Sequence, residues 1–457
     1  MTRGQSDGPA RTARIVARSL LALPRAVLAR PLASYHLLLV SSGLLLAIGL
    51  AMVFSATSVE AFVANGNAFT SIEKQGVSAV VGLAAFWICQ RLPVRTYRAL
   101  ARPGLIIAFV LLGVLDALAL LAQVEILSNP RLGPLRADEL WLYLGPLQLQ
   151  PSELAKIALA VWAADVLVRK GAHAGSWAEL SRPLFPVAGA LFLLVGYNDL
   201  GTMLCLVVLF VGMLWAAGVR LRVFAGMLAV AAIGVYALIH LPGNDYRQER
   251  IAAFTHPELH LQGKAYQARE GLFAIANGGW FGVGLGEGRL KWGWLPNGHN
   301  DFIFAVIAEE LGVVGCLVVL GLFAVLAYAG LRIARRVDHP FRRLVAAGAT
   351  ILIAGQATLN VAGVVGLMPI TGLPLPLISD GGSALVVTLA MIGMLASFAR
   401  AEPAAAIALH TPPPRRWLRL LWAPLPPMPA RLAGSAEAAR SAAPTRLAGR
   451  VGSHDDG

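Results

Sequence analysis

The sequence predicts an all-α, polytopic membrane protein with ten transmembrane helices, and three observations indicate this class. Hydrophobic residues make up 57% of the 457 residues and charged residues only 14%, against about 25% charged in soluble domains. Apolar stretches of roughly 17–25 residues, enough for a helix to cross ~30 Å of hydrocarbon, recur along the chain. Most of the 38 Lys and Arg residues fall in six segments between these stretches. These basic segments are 1–34, 91–103, 169–182, 220–222, 332–343 and 400–457.

The ten predicted spans alternate with polar loops. They cover approximately 36–55, 75–91, 104–123, 151–168, 184–198, 200–218, 223–241, 303–331, 344–366 and 384–400. Only Asn198 and Asp199 separate the fifth span from the sixth, but merging the two would place the basic segment 332–343 outside the cell. Basic loops face the cytoplasm, so ten spans predict that both termini are cytoplasmic. The spread of charge over many short loops argues against nucleic-acid binding, despite the net charge of +13.

The chain divides into three predicted parts. Residues 1–34 form a basic cytoplasmic segment and residues 35–400 the ten-helix membrane domain. Residues 401–457, rich in Ala, Pro and Arg, form a largely disordered cytoplasmic tail. The three cysteines lie within apolar runs, so no disulfide framework is predicted, and no Cys/His spacing indicates a metal site.

Two outer segments stand out. The large extracytoplasmic loop 242–302, between the seventh and eighth spans, is too long for a simple connection and is therefore a functional candidate. Within it, Ala265–Asn277 has the pattern of an amphipathic helix lying on the membrane surface. The alternating glycines of 282–288 indicate a flexible segment that approaches a ligand closely. Glycines and prolines in 366–383 exclude a plain helix, so a re-entrant or broken segment is predicted between the ninth and tenth spans.

Ionisable side chains in or beside a span are costly and are functional candidates. Glu153 and Lys156 lie three residues apart near the start of the fourth span and share a helix face. The pair fits either a self-neutralising anchor or the charged lining of a polar cavity. Asp199 is suited to cap the N-terminus of the sixth span, where the helix dipole favours negative charge.

His299 and Asp301 stand together at the mouth of the eighth span. Asp301 fits an N-cap or a general base equally well, because a carboxylate at an apolar–water boundary beside an imidazole is suited to proton transfer. Glu309 and Glu310 follow on the same helix, roughly 12 Å deeper. Two adjacent acids in a span need partners or a hydrated cavity.

Five motifs in the chain resemble the SEDS family, the shape, elongation, division and sporulation proteins. They occur in family order across about residues 35–400. They are Gln-Pro-Ser-Glu-Leu-Ala-Lys at 150–156, Asp-Leu-Gly at 199–201, the glycine pattern at 278–286, the Leu-Pro…His-x-Asp-Phe-Ile-Phe-Ala…Glu-Glu-Leu-Gly signature at 295–312, and the Gly- and Pro-containing segment at 366–382.

The resemblance implies a peptidoglycan glycosyltransferase that polymerises lipid II, an undecaprenyl-diphosphate-linked disaccharide peptide, at the outer face of the bacterial plasma membrane. It implies work with a class B penicillin-binding protein and other division proteins, and Asp301 as the catalytic residue. The leaving diphosphate needs positive charge, from side chains or from a divalent cation as an undetermined cofactor; no metal ligand is assigned. The substrate-binding candidates are Glu153, Lys156, Arg247, Arg269, Lys291, His299, Ser379, Gly381 and Gly382.

Three positions depart from the family pattern. Asn198 replaces the usual proline before Asp199, which costs little because Asn also suits a turn. Glu139 replaces a residue that is often basic, and Asp380 replaces Tyr or Ala. The last two add negative charge near a site meant for a diphosphate, so a divergent paralogue stays open.

Other functions within and beyond this family compete with the division polymerase. An elongation polymerase is one, and the His299-Asn300-Asp301 form and the basic, proline-rich tail favour division over it. A lipid II flippase predicts charges continuing to the cytoplasmic side, whereas the motifs cluster at the outer helix ends. A non-catalytic scaffold predicts loss of the Asp301 motif, which is intact.

The predicted topology has a direct test. A cysteine replacing Gly263 should react with a membrane-impermeant thiol reagent added from outside, because the Arg-rich loops place the 242–302 loop outside. Labelling of this cysteine only from the cytoplasm would contradict the topology and the outward-facing site.

Overall fold

The structure, a computed structural model, is a helical bundle with one small sheet. It describes residues 28–123, 131–132, 135–138, 140–145, 147–171, 177–240, 264–289, 292, 298–410 and 423–428. The helices are α1 (Ala33–Asn65), α2 (Thr70–Arg91), α3 (Val94–Gln123), α4 (Pro151–Lys170), α5 (Trp177–Leu180), α6 (Leu184–Asn198), α7 (Leu200–Ala216), α8 (Leu221–His240), α9 (Lys264–Gly278), α10 (Ile303–Arg336), α11 (Pro340–Val364), α12 (Gly382–Arg400) and α13 (Pro403–His410). The strands are β1 (Arg131–Leu132), β2 (Leu135–Asp138), β3 (Trp141–Leu144) and β4 (Leu147–Leu149).

Each of the ten predicted spans coincides with a helix. Within the described stretches, six helices are long and apolar enough to cross a membrane: α1, α2, α3, α10, α11 and α12. Helices α6, α7 and the first part of α8 are apolar but shorter. Helix α4 carries Glu153, Lys156 and Asp165 within 20 residues. Six of the ten predicted spans therefore have the length and composition needed to cross a membrane, and a full crossing by all ten helices stays a prediction.

Helix α4 lies at the centre of the bundle, packed by α3, α7, α11 and α12. Its alanines at 155, 160, 163 and 164 are at most 1% exposed. Small side chains let neighbouring helices approach closely, which favours helix association where lipid removes the hydrophobic drive. At the cytoplasmic end predicted from the basic loops, Asp165 is buried between Arg98 (2.7 Å) and Arg169 (2.7 Å).

A four-stranded antiparallel meander lies in the predicted outer loop 124–150, in strand order β1-β2-β3-β4. The all-α prediction omitted this sheet. Buried Ala137 and Leu142 pack on Leu115 and Leu118 of α3, while Arg136 is exposed. Strands of two to four residues give an alternation too short to recognise in the sequence. The meander covers the end of α3.

Helix α10 is broken at Gly312, whose φ of 68° and ψ of −166° are not helical. In an unbroken helix the N–H groups of residues 313 and 314 would bond to the carbonyls of residues 309 and 310. The segment that follows α9, residues 279–289 and here called the glycine loop, binds all four groups instead. The bonds are Val313 N–H to Gly279 O (3.0 Å), Val314 N–H to Trp280 O (3.2 Å), Val283 N–H to Glu309 O (2.9 Å) and Gly284 N–H to Glu310 O (3.1 Å).

Glycines make this close approach possible. A Cβ on Gly278 would lie 1.8 Å from the carbonyl oxygen of Ala308, and one on Gly282 would lie 2.1 Å from that of Glu310. The sequence predicts that the run 282–288 approaches a ligand, whereas Gly282, like Gly278 before it, approaches the backbone of α10. The predicted Ala265–Asn277 helix forms as α9, and it packs along the first part of α10, with Gly271 against the ring of Phe302.

Most of the N-terminal segment 1–34 and of the tail 401–457 lies outside the described residues, so the prediction of disorder for the tail is untested there. The tail begins with α13, whose Ala405 and Ala406 are fully buried. The Arg400 guanidinium donates to the carbonyls of Ala423 (3.1 Å) and Pro424 (3.3 Å). This part of the tail is therefore attached to the bundle.

Replacing Gly312 should destabilise the protein. An L-residue at this φ/ψ costs about 1–3 kcal/mol in backbone strain alone, and a Cβ would lie 2.4 Å from the backbone nitrogen of Gly282. Gly312→Ala should lower the thermal unfolding midpoint in detergent. The matched control is Gly321→Ala on the same helix, where a Cβ meets nothing within 4 Å and helix propensity favours Ala. Equal midpoints for the two variants would contradict the described break.

Candidate active site at the start of helix α10

Asp301 lies in a turn at 298–302 that leads into α10, and it is only 6% exposed. The helix starts at Ile303 with Phe302 in the cap position. Asp301 therefore precedes the cap, so the structure does not place it in the N-cap role that the sequence left open. Its backbone carbonyl accepts a hydrogen bond of 2.7 Å from the Asn360 side chain. The turn holds a buried carboxyl group at the mouth of α10.

Asn360 joins two parts of the site. Its Nδ2 donates to the carbonyl of Asp301 and to the carbonyl of Leu373, each at 2.7 Å. Asn360 is 3% exposed, so both bonds are shielded from water. Asn360 is not among the site residues predicted from the sequence. The indication available in the sequence is that an amide lies within the ninth predicted span. A polar group there is costly without a partner, so it is expected to bind another part of the protein.

The segment between α11 and α12 is irregular, as predicted, and it packs against the turn. Ser379 is buried; its Oγ accepts from Leu375 N–H (2.7 Å) and its carbonyl from the Gln75 side chain (3.1 Å). The next N–H, of Asp380, donates to the carbonyl of His299 (3.0 Å). The structure thus brings His299 and Ser379 together beside Asp301.

The glycines at the start of α12 complete this segment. Gly381 takes the cap position and Gly382 begins the helix. A Cβ on Gly382 would lie 3.0 Å from Ser78 Oγ, so a larger residue there would press on α2.

Glu153 and Lys156 form a buried ion pair, with Lys156 Nζ 2.6 Å from Glu153 Oε1. The same Nζ donates to Gln356 Oε1 (2.8 Å), and Gln356 Nε2 donates to the carbonyl of Pro374 (2.8 Å). Gln356 and Asn360 are four residues apart and share a face of α11. Two polar side chains of α11 therefore bind the irregular segment between α11 and α12. Gln356 connects this segment to the ion pair, and Asn360 connects it to the Asp301 turn.

The Asp-Leu-Gly turn also contacts this segment. Asp199 caps α7 as predicted: its carboxylate accepts from Thr202 N–H (2.9 Å) and Thr202 Oγ1 (2.6 Å). A Cβ on Gly201 would lie 2.3 Å from the carbonyl oxygen of Thr371. Glycine is required here by the approach of the irregular segment.

The acidic pair beyond Asp301 has the partners that the sequence required. Ser55 Oγ donates to the Glu310 carboxylate at 2.7–2.8 Å. Glu309 Oε1 accepts from the backbone N–H of Arg289 (3.1 Å) and from Asn277 Nδ2 (3.4 Å). Both carboxylates are 1% exposed.

The basic candidates are only partly located. Arg247 and Lys291, and also Glu139, lie outside the described residues. Arg269 lies on α9, 3.8 Å from Glu270 and 5.7 Å from the ring of Tyr266, so a carboxylate already offsets part of its charge.

Two further observations concern charge near the turn. Burial raises the pKa of Asp380, and the charges of His299 and Lys74 oppose this shift. The nearby positive charges of His299 and Lys74 therefore offset part of the adverse negative charge expected from Asp380.

In the described part of the chain no group of three or more His, Cys, Asp or Glu converges on a metal site.

Comparison with known proteins now defines the class. The family model for cell cycle proteins of the FtsW/RodA/SpoVE type matches residues 35–403. The chain belongs to the FtsW/RodA/SpoVE family, as the SEDS resemblance predicted. With its long apolar helices, it is a multi-pass membrane protein.

The most similar relatives include the probable peptidoglycan glycosyltransferase FtsW of Mycobacterium tuberculosis, 42% identical over 87% of this chain and 74% of the relative. The FtsW of Geobacter metallireducens is 36% identical over 76% of this chain and 89% of its own.

Among solved structures, a chain of a peptidoglycan synthase complex superposes with a TM-score of 0.63 at 26% identity, covering 80% of this chain and 97% of that one. The rod shape determining protein RodA of Thermus thermophilus gives a TM-score of 0.53 at 27% identity, with 80% and 96% covered.

The buried ion pair is tested by a double-mutant comparison. Lys156→Ala leaves Glu153 as a buried, unpaired charge, at a cost of roughly 3–5 kcal/mol. It should lower the yield of folded, detergent-extracted protein more than Lys156→Ala combined with Glu153→Gln. The control pair Arg136–Asp138 is 49% exposed on both sides, so breaking it should change little. Equal yields for the single and double variants would mean that the two residues act independently.

Proposed function

We propose that this chain is a peptidoglycan glycosyltransferase that polymerises lipid II into glycan strands, with Asp301 as the general base. The observation that carries the proposal is the buried Asp301 carboxyl group, held in a turn whose backbone is fixed by Asn360. The named relatives are glycosyltransferases, which supports polymerisation over a flippase or a scaffold.

The reaction requires a sugar hydroxyl to attack the anomeric carbon that carries the lipid diphosphate. The hydroxyl is a poor nucleophile, so a base that takes its proton as the new bond forms accelerates the step. Burial beside Phe302 and Phe304, which are 1% and 4% exposed, limits water around Asp301.

The other candidates take supporting roles in this proposal. His299 and Ser379 lie near the Asp301 turn and are proposed to contact the sugar, together with Gly381 and Gly382, which follow Ser379 at the start of α12. Glu153 and Lys156 neutralise each other, so they position the irregular segment through Gln356 instead of binding substrate.

The leaving diphosphate is negatively charged and needs neutralisation. Arg247, Arg269 and Lys291 belong to the predicted outer loop 242–302. We propose that these side chains supply the positive charge. A bound divalent cation would supply the same charge, but the described residues do not present a full set of ligands for one.

The proposed setting is the bacterial plasma membrane, with ten spans, both termini cytoplasmic and Asp301 facing outward. Supporting this, Arg332, Arg336 and Arg400 lie at one end of their helices and the Asp301 turn at the other. The proposed partner is a class B penicillin-binding protein, because a structural neighbour belongs to a peptidoglycan synthase complex. The FtsW names of the relatives support a role in division, with other division proteins, over elongation.

Asp301→Asn should abolish polymerisation. Loss of a general base lowers the rate by about 10²–10⁴, while Asn keeps the size of the side chain and the backbone bond to Asn360. Glycan formation from lipid II by purified protein is the measurement, with the thermal midpoint as the check on folding. Asp138→Asn, on an exposed strand, is the matched control and should be fully active. Near-normal polymerisation by Asp301→Asn would remove Asp301 from the catalytic role.

A further inference from the structure

A cavity lies between α9, the glycine loop and the first part of α10. Its volume is about 510 Å³. The lining includes Glu270, Phe273, Asn277, Arg289, Trp292 and Glu309. Glu309 comes eight residues after Asp301 in the chain, which corresponds to a rise of roughly 12 Å along a helix.

The cavity is a built feature of the fold. Glu309 is 1% exposed, and the backbone N–H of Arg289 and the side chain of Asn277 both donate to its Oε1. A Cβ on Gly288 would lie 2.8 Å from Glu309 Oε2, so the glycine loop packs directly on this carboxylate. The hydrogen bonds between the glycine loop and the break in α10 hold these two walls of the cavity together.

The lining chemistry selects the class of ligand. Glu270 lies 3.8 Å from Arg269, and Glu309 shares the cavity with Arg289, so acidic and basic groups offset one another and the lining favours an uncharged ligand over a diphosphate. Carboxylates accept hydrogen bonds from hydroxyl groups, and the Asn277 amide both donates and accepts. This set matches the hydroxyl and acetamido groups of a neutral amino sugar.

Two aromatic side chains add an apolar surface. Phe273 and Trp292 line the cavity and are 59% and 66% exposed. Exposed aromatic faces beside polar groups suit a ligand with one apolar face, as the C–H face of a pyranose provides.

We infer that this cavity is a subsite for an N-acetylamino sugar of the glycan, separate from the site of bond formation. The inference rests on the proposed function for its biological ligand. A sugar held here would retain the strand between successive additions at Asp301, so the cavity would set the length of the product.

The test uses the purified full chain and a soluble probe, the β-1,4-linked tetramer of N-acetylglucosamine, titrated by calorimetry. The tetramer carries no lipid diphosphate, so binding is measured without turnover. Saturable binding is expected, and Trp292→Ala should weaken it about tenfold. Trp280→Ala is the matched control. Trp280 belongs to the glycine loop and is 70% exposed, but it does not line the cavity. Its affinity should equal that of the wild type.

Three results would overturn the inference: no saturable binding to the wild type, equal losses in Trp292→Ala and Trp280→Ala, or displacement of the tetramer by inorganic pyrophosphate. Because both tryptophans are exposed, their removal should leave the thermal midpoint unchanged, which the same samples verify. A chain that polymerises lipid II but does not bind the tetramer would contradict the subsite alone. A chain that binds the tetramer through Trp292 but does not polymerise would contradict the proposed function alone.

Discussion

The break in α10 sets the constraint on which the rest of the site depends. Unsatisfied backbone groups away from water cost several kcal/mol each, so the break at Gly312 needs external partners. The glycine loop supplies them with four hydrogen bonds. These bonds hold α9 along α10, and Glu309 lines the cavity between them. The break also leaves 313–336 as a segment about 36 Å long, sufficient for one crossing, so the first part of α10, which follows the Asp301 turn, is not needed to span the hydrocarbon.

The Asp301 turn is supported from the opposite side by polar side chains of α11. Asn360 binds the turn and the irregular segment together, and Gln356, one turn away, links that segment to Lys156. Three of these four bonds are buried, so each lost partner there leaves a costly unpaired group. Together the bonds connect the Asp301 turn, the irregular segment and the Glu153–Lys156 ion pair.

Local sequence rules predicted what lies within one element. Span length and charge placement identified ten helices, and a spacing of three residues paired Glu153 with Lys156. Contacts between distant elements followed no spacing rule: Asn360 meets Asp301 across 59 residues, and the glycine loop meets α10 only because the chain folds back. The glycines were recognised as a close approach, but the sequence does not show that the approached surface is the protein's own helix.

The most direct test of the proposed function is polymerisation of lipid II by the purified chain, with and without the class B penicillin-binding protein proposed as its partner. Product strands and released undecaprenyl diphosphate are both quantified. The transpeptidase is inhibited, so that only glycosyl transfer is measured. The proposed function predicts that the chain forms glycan polymer from lipid II. Intact lipid II in both reactions, from protein shown to be folded, would contradict it.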